Sequence, residues 1–305
     1  MIAPLDTFPQ SGSLRKFSSR SGEAVIVVVE ARELLEGLLR RQRAHPAAFL
    51  HIGQASLAAL MLEALTDPQD EERIELQWSV QGVFGNLHAA SPSLGLVRAS
   101  IAKPEVETVN LSESLGDGLL QVRHVRDATN LKSVGIVESQ GTVGPDLVEY
   151  LERSEQKSCG ISLSVKLAFD GNAPDGLPYH VAQAHGYLVH ILPQGNEKTF
   201  ERTLLSWDTH MKELGPLSQW ELPMDAAECT KTMASFLDAR EVSEFHATTD
   251  LALYCTCSQE RASRALGLLS ERDRDYLTEG ERPEDGVRMH CEFCGADYLI
   301  PMTVA

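Results

Sequence analysis

The chain has 305 residues, 43% of them hydrophobic, and its 44 acidic and 27 basic side chains give a formal net charge of −17. This length predicts about two domains with a substantial core, and the composition is that of a soluble globular protein. The acidity disfavours nucleic-acid binding and docking on anionic membranes, and no apolar run approaches the length of a membrane span.

The first part of the chain mixes strand and helix patterns. Met1–Arg20 has no continuous apolar segment of a secretory signal, although its serine and basic residues leave an organellar transit peptide open. Ala24–Glu30 is a β-branched run that predicts a strand, and the leucine spacing in Ala31–Arg43 predicts a helix. Gln54–Thr66 predicts a second, more apolar helix. Arg73–Val80 alternates and predicts a strand with one buried face.

Further strands and one helix complete the predicted core. Pro145–Gln156 predicts a helix with proline in its first turn. Turn residues separate five more predicted strands, Leu94–Ile101, Gly118–His124, Val134–Glu138, Ile161–Leu167 and Gln183–Leu192. Because strands and helices mix without a regular alternation, we predict an α+β fold with a mixed-sheet layered core domain over residues 1–195.

The sequence beyond this core predicts two further regions. Glu197–Leu214 and Ala226–Arg240 are predicted helices of a linker over residues 196–250. Methionine and tryptophan side chains in these helices suit contact with varied apolar partners, and packing against the core is the alternative interpretation. A small C-terminal domain is predicted over residues 251–305, with Ser258–Glu279 as one helix.

Four of the six cysteines form two closely spaced pairs near the C-terminus. Cys255 and Cys257 make a C-x-C motif, and Cys291 and Cys294 make a C-x-x-C motif. Such pairs can each place two thiolates on one tetrahedral metal ion, and zinc suits a shell of four soft sulfur ligands. Two disulfides are the competing interpretation, which a reducing cytosol disfavours. A structural zinc site is the simplest role, but metal-dependent folding and electron-rich thiolates also permit a redox switch.

A catalytic set is not found in the sequence. The glycine-rich nucleotide loops, the G-x-S-x-G motif and the H-E-x-x-H motif are all missing. Cys159 and Cys229 stand apart from the two pairs, and we expect them to be small buried side chains rather than nucleophiles. His290 is the only local acid–base candidate for a metal-dependent enzyme. We therefore predict no catalytic residues and no enzymatic activity.

Several segments resemble the 33 kDa heat-shock chaperones, the redox-regulated heat shock protein 33 family. Tyr254–Arg261 resembles the start of the family's redox-switch domain, and His290–Gly295 with Tyr298 resembles its end. Tyr150–Gln156 is similar to the helix signature of the family, and Gly186–Val189 to the end of its core. The likeness covers nearly the whole chain, although the interval between the cysteine pairs is longer than the family pattern.

The resemblance implies a cytoplasmic, ATP-independent chaperone of the holdase type, which is quiescent when reduced and bound to zinc. It implies that Cys255, Cys257, Cys291 and Cys294 hold one zinc ion and sense oxidants, forming Cys255–Cys257 and Cys291–Cys294 disulfides. Oxidation then releases zinc and unfolds the module with its linker, Thr199–Asp250, so that unfolding client proteins are bound, often by a homodimer. An adaptor or always-active holdase with inert zinc is the main alternative, and a metal-dependent enzyme is the other.

Overall fold

A computed structural model describes residues 11–19, 23–66, 72–93, 95–108, 115–126, 131–171, 176–193, 198, 242–248, 250–270, 272–273 and 286–301. The predicted linker helices Glu197–Leu214 and Ala226–Arg240 lie almost entirely outside these residues, as does Cys229. The described strands are β1 (Ser13–Ser19), β2 (Ala24–Glu30), β3 (Glu72–Val80), β4 (Leu87–Ser91), β5 (Leu96–Ile101), β6 (Gly118–Arg126), β7 (Leu131–Ser139), β8 (Cys159–Phe169), β9 (Tyr179–Ile191), β10 (Val242–Thr248), β11 (Ala252–Leu253), β12 (Val287–His290) and β13 (Asp297–Ile300). The described helices are α1 (Arg32–Gln42), α2 (Pro46–Ala64), α3 (Val143–Arg153) and, numbered in chain order, α4 (Gln259–Gly267).

The strands form two larger sheets and one hairpin. The first sheet has the order β10-β1-β2-β9-β8, and the second has the order β11-β5-β4-β3-β6-β7. All pairs are antiparallel except β11 with β5, and β12 pairs with β13 alone. The α+β fold with mixed sheets predicted from the sequence is confirmed. The segment that leads into the cysteine pairs therefore supplies an edge strand to each large sheet, and Val242–Thr248 is a strand within the region predicted as a helical linker.

Helix α2 lies between the two sheets and forms the centre of the core. It contacts strands of both sheets, and nearly all its residues are buried, as expected for a helix that is apolar on every side. Gly186 on β9 lets this helix approach, because a Cβ there would lie 2.9 Å from the Met61 sulfur. The helix begins well before the predicted Gln54: Pro46 fits its first turn, and His45 Nδ1 accepts a hydrogen bond from the Ala47 amide at 3.4 Å. In the part of the chain that is described, no helix is long and apolar enough to cross a membrane.

A buried carboxylate ties α3 to the second sheet. The Trp78 indole N–H donates to Asp146 at 3.0 Å, and the Ser139 hydroxyl donates to the same oxygen at 2.5 Å. The amide of Gln140 donates to the other carboxylate oxygen at 3.0 Å. Burial is the main cause that raises the pKa of Asp146, and these hydrogen bonds oppose it. The three donors thus fix the turn from β7 into α3.

The structure also corrects the predicted helix in the C-terminal domain. Ser258–Glu279 was expected to be one helix, but α4 ends at Gly267. Glycine has a low helix propensity, and the Ser270 hydroxyl accepts a hydrogen bond from the Asp273 amide at 3.2 Å, as an N-cap does. The chain therefore stops one helix and begins a new turn within the predicted span. Strands β1, β4, β10, β11, β12 and β13 were not predicted.

Candidate metal centre

The first cysteine pair lies between the core and α4. The amide of Tyr254 still donates to Val97 of β5 at 3.1 Å, so the chain leaves the second sheet immediately before Cys255. Ser258 then caps α4, because its hydroxyl accepts a hydrogen bond from the Arg261 amide at 3.2 Å. The C-x-C motif is thus held between a strand end and a helix start.

The second pair lies in the turn of the β12–β13 hairpin. The Cys291 amide donates to Ala296 at 2.9 Å, and the Gly295 amide donates back to the Cys291 carbonyl at 2.8 Å. Gly295 has a φ of 69°, which favours glycine at this point of the turn. The resulting tight turn directs the Cys291 and Cys294 side chains toward the first pair.

The four sulfur atoms form one compact cluster. All lie within 4.8 Å of one another. Cys257 Sγ is 3.3 Å from Cys294 Sγ, and Cys255 Sγ is 3.6 Å from Cys291 Sγ. Zinc–sulfur bonds of about 2.3 Å in a tetrahedron place the sulfurs about 3.8 Å apart. The cluster therefore has the ligand type, the ligand number and the size of a four-cysteine metal site. Its shortest sulfur–sulfur distances join a cysteine of one pair to a cysteine of the other pair.

The thiols interact strongly with one another. Hydrogen bonding between their sulfurs is the main cause that lowers the pKa of Cys291 and raises the pKa of Cys255 to about 11. Hydrogen bonds to Cys255 and Cys291 likewise raise the pKa of Cys294. One negative charge in the cluster thus disfavours the next, whereas a divalent cation favours ionisation of coordinating thiols. The cluster is suited to a cation.

Hydrogen-bond donors surround the sulfurs. The Cys257 amide is 3.4 Å from the Cys255 sulfur. Hydrogen bonds with the thiols of Cys255 and Cys294 are the main cause that lowers the pKa of Cys291, and the backbone amides of Cys294 and Phe293 lower it further. The Cys257 sulfur, by contrast, lies 3.1 Å from a side-chain hydroxyl, that of Tyr298 on β13. Such donors partly neutralise sulfur ligands and orient them.

The hairpin turn also contacts the core directly. The side-chain amide of Gln42, at the end of α1, donates to the Glu292 carbonyl at 3.0 Å and to Ala99 at 2.6 Å. Gly295 approaches α1 so closely that a Cβ would lie 2.4 Å from the Arg41 carbonyl oxygen. The C-x-x-C turn is therefore bound to α1, and Gln42 connects it to β5.

The remaining predicted residues lie elsewhere or take other roles. Cys159 is buried on β8, and burial raises its pKa to about 12, so its thiol is poorly reactive as expected. His290 directs Nδ1 to Asp297 at 3.0 Å. The contacts of Gln42 with the turn were not predicted, because residues so distant in sequence give no spacing signal. The hydroxyl contact of Tyr298 was also missed, although the tyrosine belongs to the recognised motif.

Comparisons with known proteins agree on one family. A family model described as Hsp33 protein matches residues 12–301. A 33 kDa chaperonin of Thermus thermophilus is 25% identical over 94% of this chain and 83% of its own length, and one of Aquifex aeolicus is 28% identical over 92% and 83%. The fold resembles the crystal structure of the 33 kDa chaperonin from Thermotoga maritima, with a TM-score of 0.76 and 20% identity over 96% of this chain and 95% of that one. The chain, with its four clustered cysteines, belongs to the Hsp33 family of chaperones.

Proposed function

We propose that this protein is a redox-regulated, ATP-independent holdase of the cytoplasm, with no enzymatic activity of its own. Reduced and bound to zinc, it is inactive; oxidised, it binds unfolding client proteins and prevents their aggregation. The single observation that carries the proposal is the four-sulfur cluster at the junction between the core and the small C-terminal domain. Membership of a chaperone family supports the client-binding part.

The ligand set supports zinc as the resident ion. Cys255, Cys257, Cys291 and Cys294 would supply four thiolates, and zinc with four such ligands has no open coordination position for catalysis. When bound, the ion holds the small domain together and keeps the sulfurs ionised. The small domain has a core of only three buried apolar side chains in the described residues, Leu266, Val287 and Ile300. Metal binding would therefore provide much of its folding free energy.

Oxidation of the four thiolates would remove the metal ligands. In each pair two thiolates lose two electrons and form one S–S bond, and one peroxide molecule takes up those electrons with two protons and leaves as two water molecules. We propose disulfides Cys255–Cys257 and Cys291–Cys294. Although the shortest sulfur distances join the two pairs, loop closure is far easier between neighbours in sequence once zinc has left.

The position of the cluster supports a conformational consequence. We propose a core over residues 1–195, a linker over 196–250 and a switch domain over 251–305. Strands β10 and β11 are edge strands, and an edge strand has one neighbour to lose when it separates. Loss of the metal would release the hairpin turn from α1 and β5, free the linker, and expose apolar surface to clients, with a homodimer as the oxidised form.

The proposal is tested by treating the zinc-loaded protein with hydrogen peroxide. We expect zinc release measured with a chromogenic chelator, loss of four alkylatable thiols, and suppression of light scattering by a thermally unfolding client protein. A Cys159→Ser variant is the matched control and should behave as the wild type, because Cys159 is buried away from the cluster.

Three outcomes would contradict the proposal. Retention of zinc after oxidation, or zinc release without client protection, would remove the redox switch. Client protection of equal strength before and after peroxide would instead support a constitutive holdase with a structural zinc site. A Cys255→Ser, Cys257→Ser double variant then separates the redox-regulated holdase from the constitutive one. If the zinc site is only structural, this variant should misfold, and oxidant should have no effect on activity.

A further inference from the structure

We propose that the Tyr298 hydroxyl sets the oxidant sensitivity of the switch by hydrogen bonding to the Cys257 sulfur. This inference rests on the proposed function and concerns the rate of the first oxidation step. Its basis is the 3.1 Å distance between the Tyr298 oxygen and Cys257 Sγ. At this distance a phenol can donate to a metal-bound thiolate, which can only accept.

Tyr298 is placed for this role by the hairpin. It pairs with Met289 across β12 and β13, and its ring packs against the small apolar cluster that contains Leu266 and Val287. This packing positions the partly buried ring, and the hydroxyl reaches across to the C-x-C motif of the other half of the site. One side chain thus connects the two cysteine motifs independently of the metal.

The chemistry of oxidation explains why this hydrogen bond matters. A thiolate attacks one oxygen of hydrogen peroxide: an S–O bond forms, the O–O bond breaks, and hydroxide leaves with the electron pair. The sulfur loses two electrons and becomes a sulfenic acid, which a second thiolate converts to a disulfide with release of another hydroxide. A hydrogen bond donated to the sulfur withdraws electron density and so makes the thiolate a weaker nucleophile. This hydrogen bond weakens when oxidation removes the negative charge of the sulfur. The hydrogen bond therefore slows the first oxidation step at Cys257.

The test compares Tyr298→Phe with the wild type in the full, zinc-loaded chain. The substitution keeps the ring and its packing and removes the hydroxyl alone. We expect zinc release by peroxide to be faster by about tenfold, as for loss of a hydrogen bond to a charged acceptor. Mass spectrometry of trapped thiols should show the excess oxidation at Cys257. Release driven by heat in the absence of oxidant should change much less.

Tyr254→Phe is the matched control. Tyr254 stands next to Cys255, but its buried hydroxyl has no hydrogen-bond partner in the described structure, so its removal should leave the peroxide rate unchanged. Equal rates for Tyr298→Phe and the wild type would overturn the inference and leave the proposed function intact. A wild type that keeps its zinc in peroxide would instead overturn the proposed function. Faster release of zinc with and without oxidant alike would show that Tyr298 only stabilises the domain.

Discussion

The guanidinium carbon of Arg98 lies 4.4 Å from the centre of the Phe293 ring, so a side chain of β5 stacks on a residue inside the C-x-x-C motif. The same guanidinium lies 5.2 Å from the ring of Tyr254, which precedes the C-x-C motif. One cation therefore contacts residues beside both cysteine pairs, and cation–π contacts of this kind contribute about 0.5–2 kcal/mol each.

Arg98→Ala should loosen the docking of the hairpin turn on the core. We expect a cost of about 1–2 kcal/mol, because both ring contacts are lost. Hydrogen exchange over residues 286–301 should become faster, and a chelator should remove zinc more readily. Arg123→Ala is a suitable control, since Arg123 lies on β6 of the same sheet and bonds to Gln121 and Glu75 instead. Unchanged exchange in the Arg98 variant would show that the stacking does not hold the turn.

Gly295→Ala should weaken the metal centre itself. Its φ of 69° disfavours any side chain, and the new Cβ would lie 2.4 Å from the Arg41 carbonyl oxygen. We expect a loss of about 2 kcal/mol or more in zinc-dependent stability, measured by chelator competition and thermal unfolding. Gly267→Ala, in the same small domain, is the control: a Cβ there meets nothing within 4 Å and alanine has the higher helix propensity, so the variant should be at least as stable as the wild type. A normal zinc affinity in Gly295→Ala would contradict the close approach to α1.

These contacts mark the limit of what the sequence could predict. The cysteine cluster was foreseen because C-x-C and C-x-x-C bring ligands together through local spacing. Strand β2 was foreseen from its β-branched run, and α1 and β3 from their regular periodicity. The contacts of Arg98 and Gln42 with the hairpin join residues far apart in sequence, and no local pattern encodes them. Strand β1, SLRKFSS, was missed because its polar residues conceal the buried Leu14 and Phe17.

The region of the predicted linker shows the same limit in another way. Val242–Thr248 has no strong strand pattern, yet it forms β10 because β1 offers a free edge for backbone hydrogen bonds. Such pairing depends on tertiary context more than on intrinsic propensity. Local periodicity therefore does not predict that the chain pairs with both core sheets, through β10 and β11, before it reaches Cys255.

Asp146→Ala should destabilise the core strongly. The substitution leaves the Trp78 indole, the Ser139 hydroxyl and the Gln140 amide without their acceptor. Loss of a buried acceptor with several donors costs about 3–5 kcal/mol, measured by urea unfolding of the zinc-loaded protein. Asp146→Asn should cost less, since it keeps one carbonyl acceptor. Glu152→Ala, at an exposed position of the same helix, should change stability little, and a similar cost for both alanine variants would contradict a special role for Asp146.

Glu63 on α2 should make the stability of the core depend on pH. Burial is the main cause that raises its pKa from 4.5 to about 7, and the charge of Lys16 opposes the shift. Below about pH 4.5 both the folded and the unfolded chain carry the proton. As the pH rises toward 7 the unfolded chain releases it while the folded chain still binds it, so stability falls with rising pH over this interval.

Glu63→Gln removes this titration and should gain stability over the wild type as the pH rises. We expect the difference in unfolding free energy to grow by about 2–3 kcal/mol between about pH 5 and about pH 8, since one pKa unit corresponds to about 1.4 kcal/mol. Urea unfolding of the zinc-loaded proteins at the two pH values measures it. Glu152→Gln, whose carboxyl is exposed, should show a difference from the wild type that is the same at both values. Only a difference in the pKa of Glu63 between the folded and the unfolded chain can make the stability difference depend on pH. A Glu63→Gln difference that stayed constant would therefore mean that the Glu63 carboxyl is ionised in the folded core throughout this range.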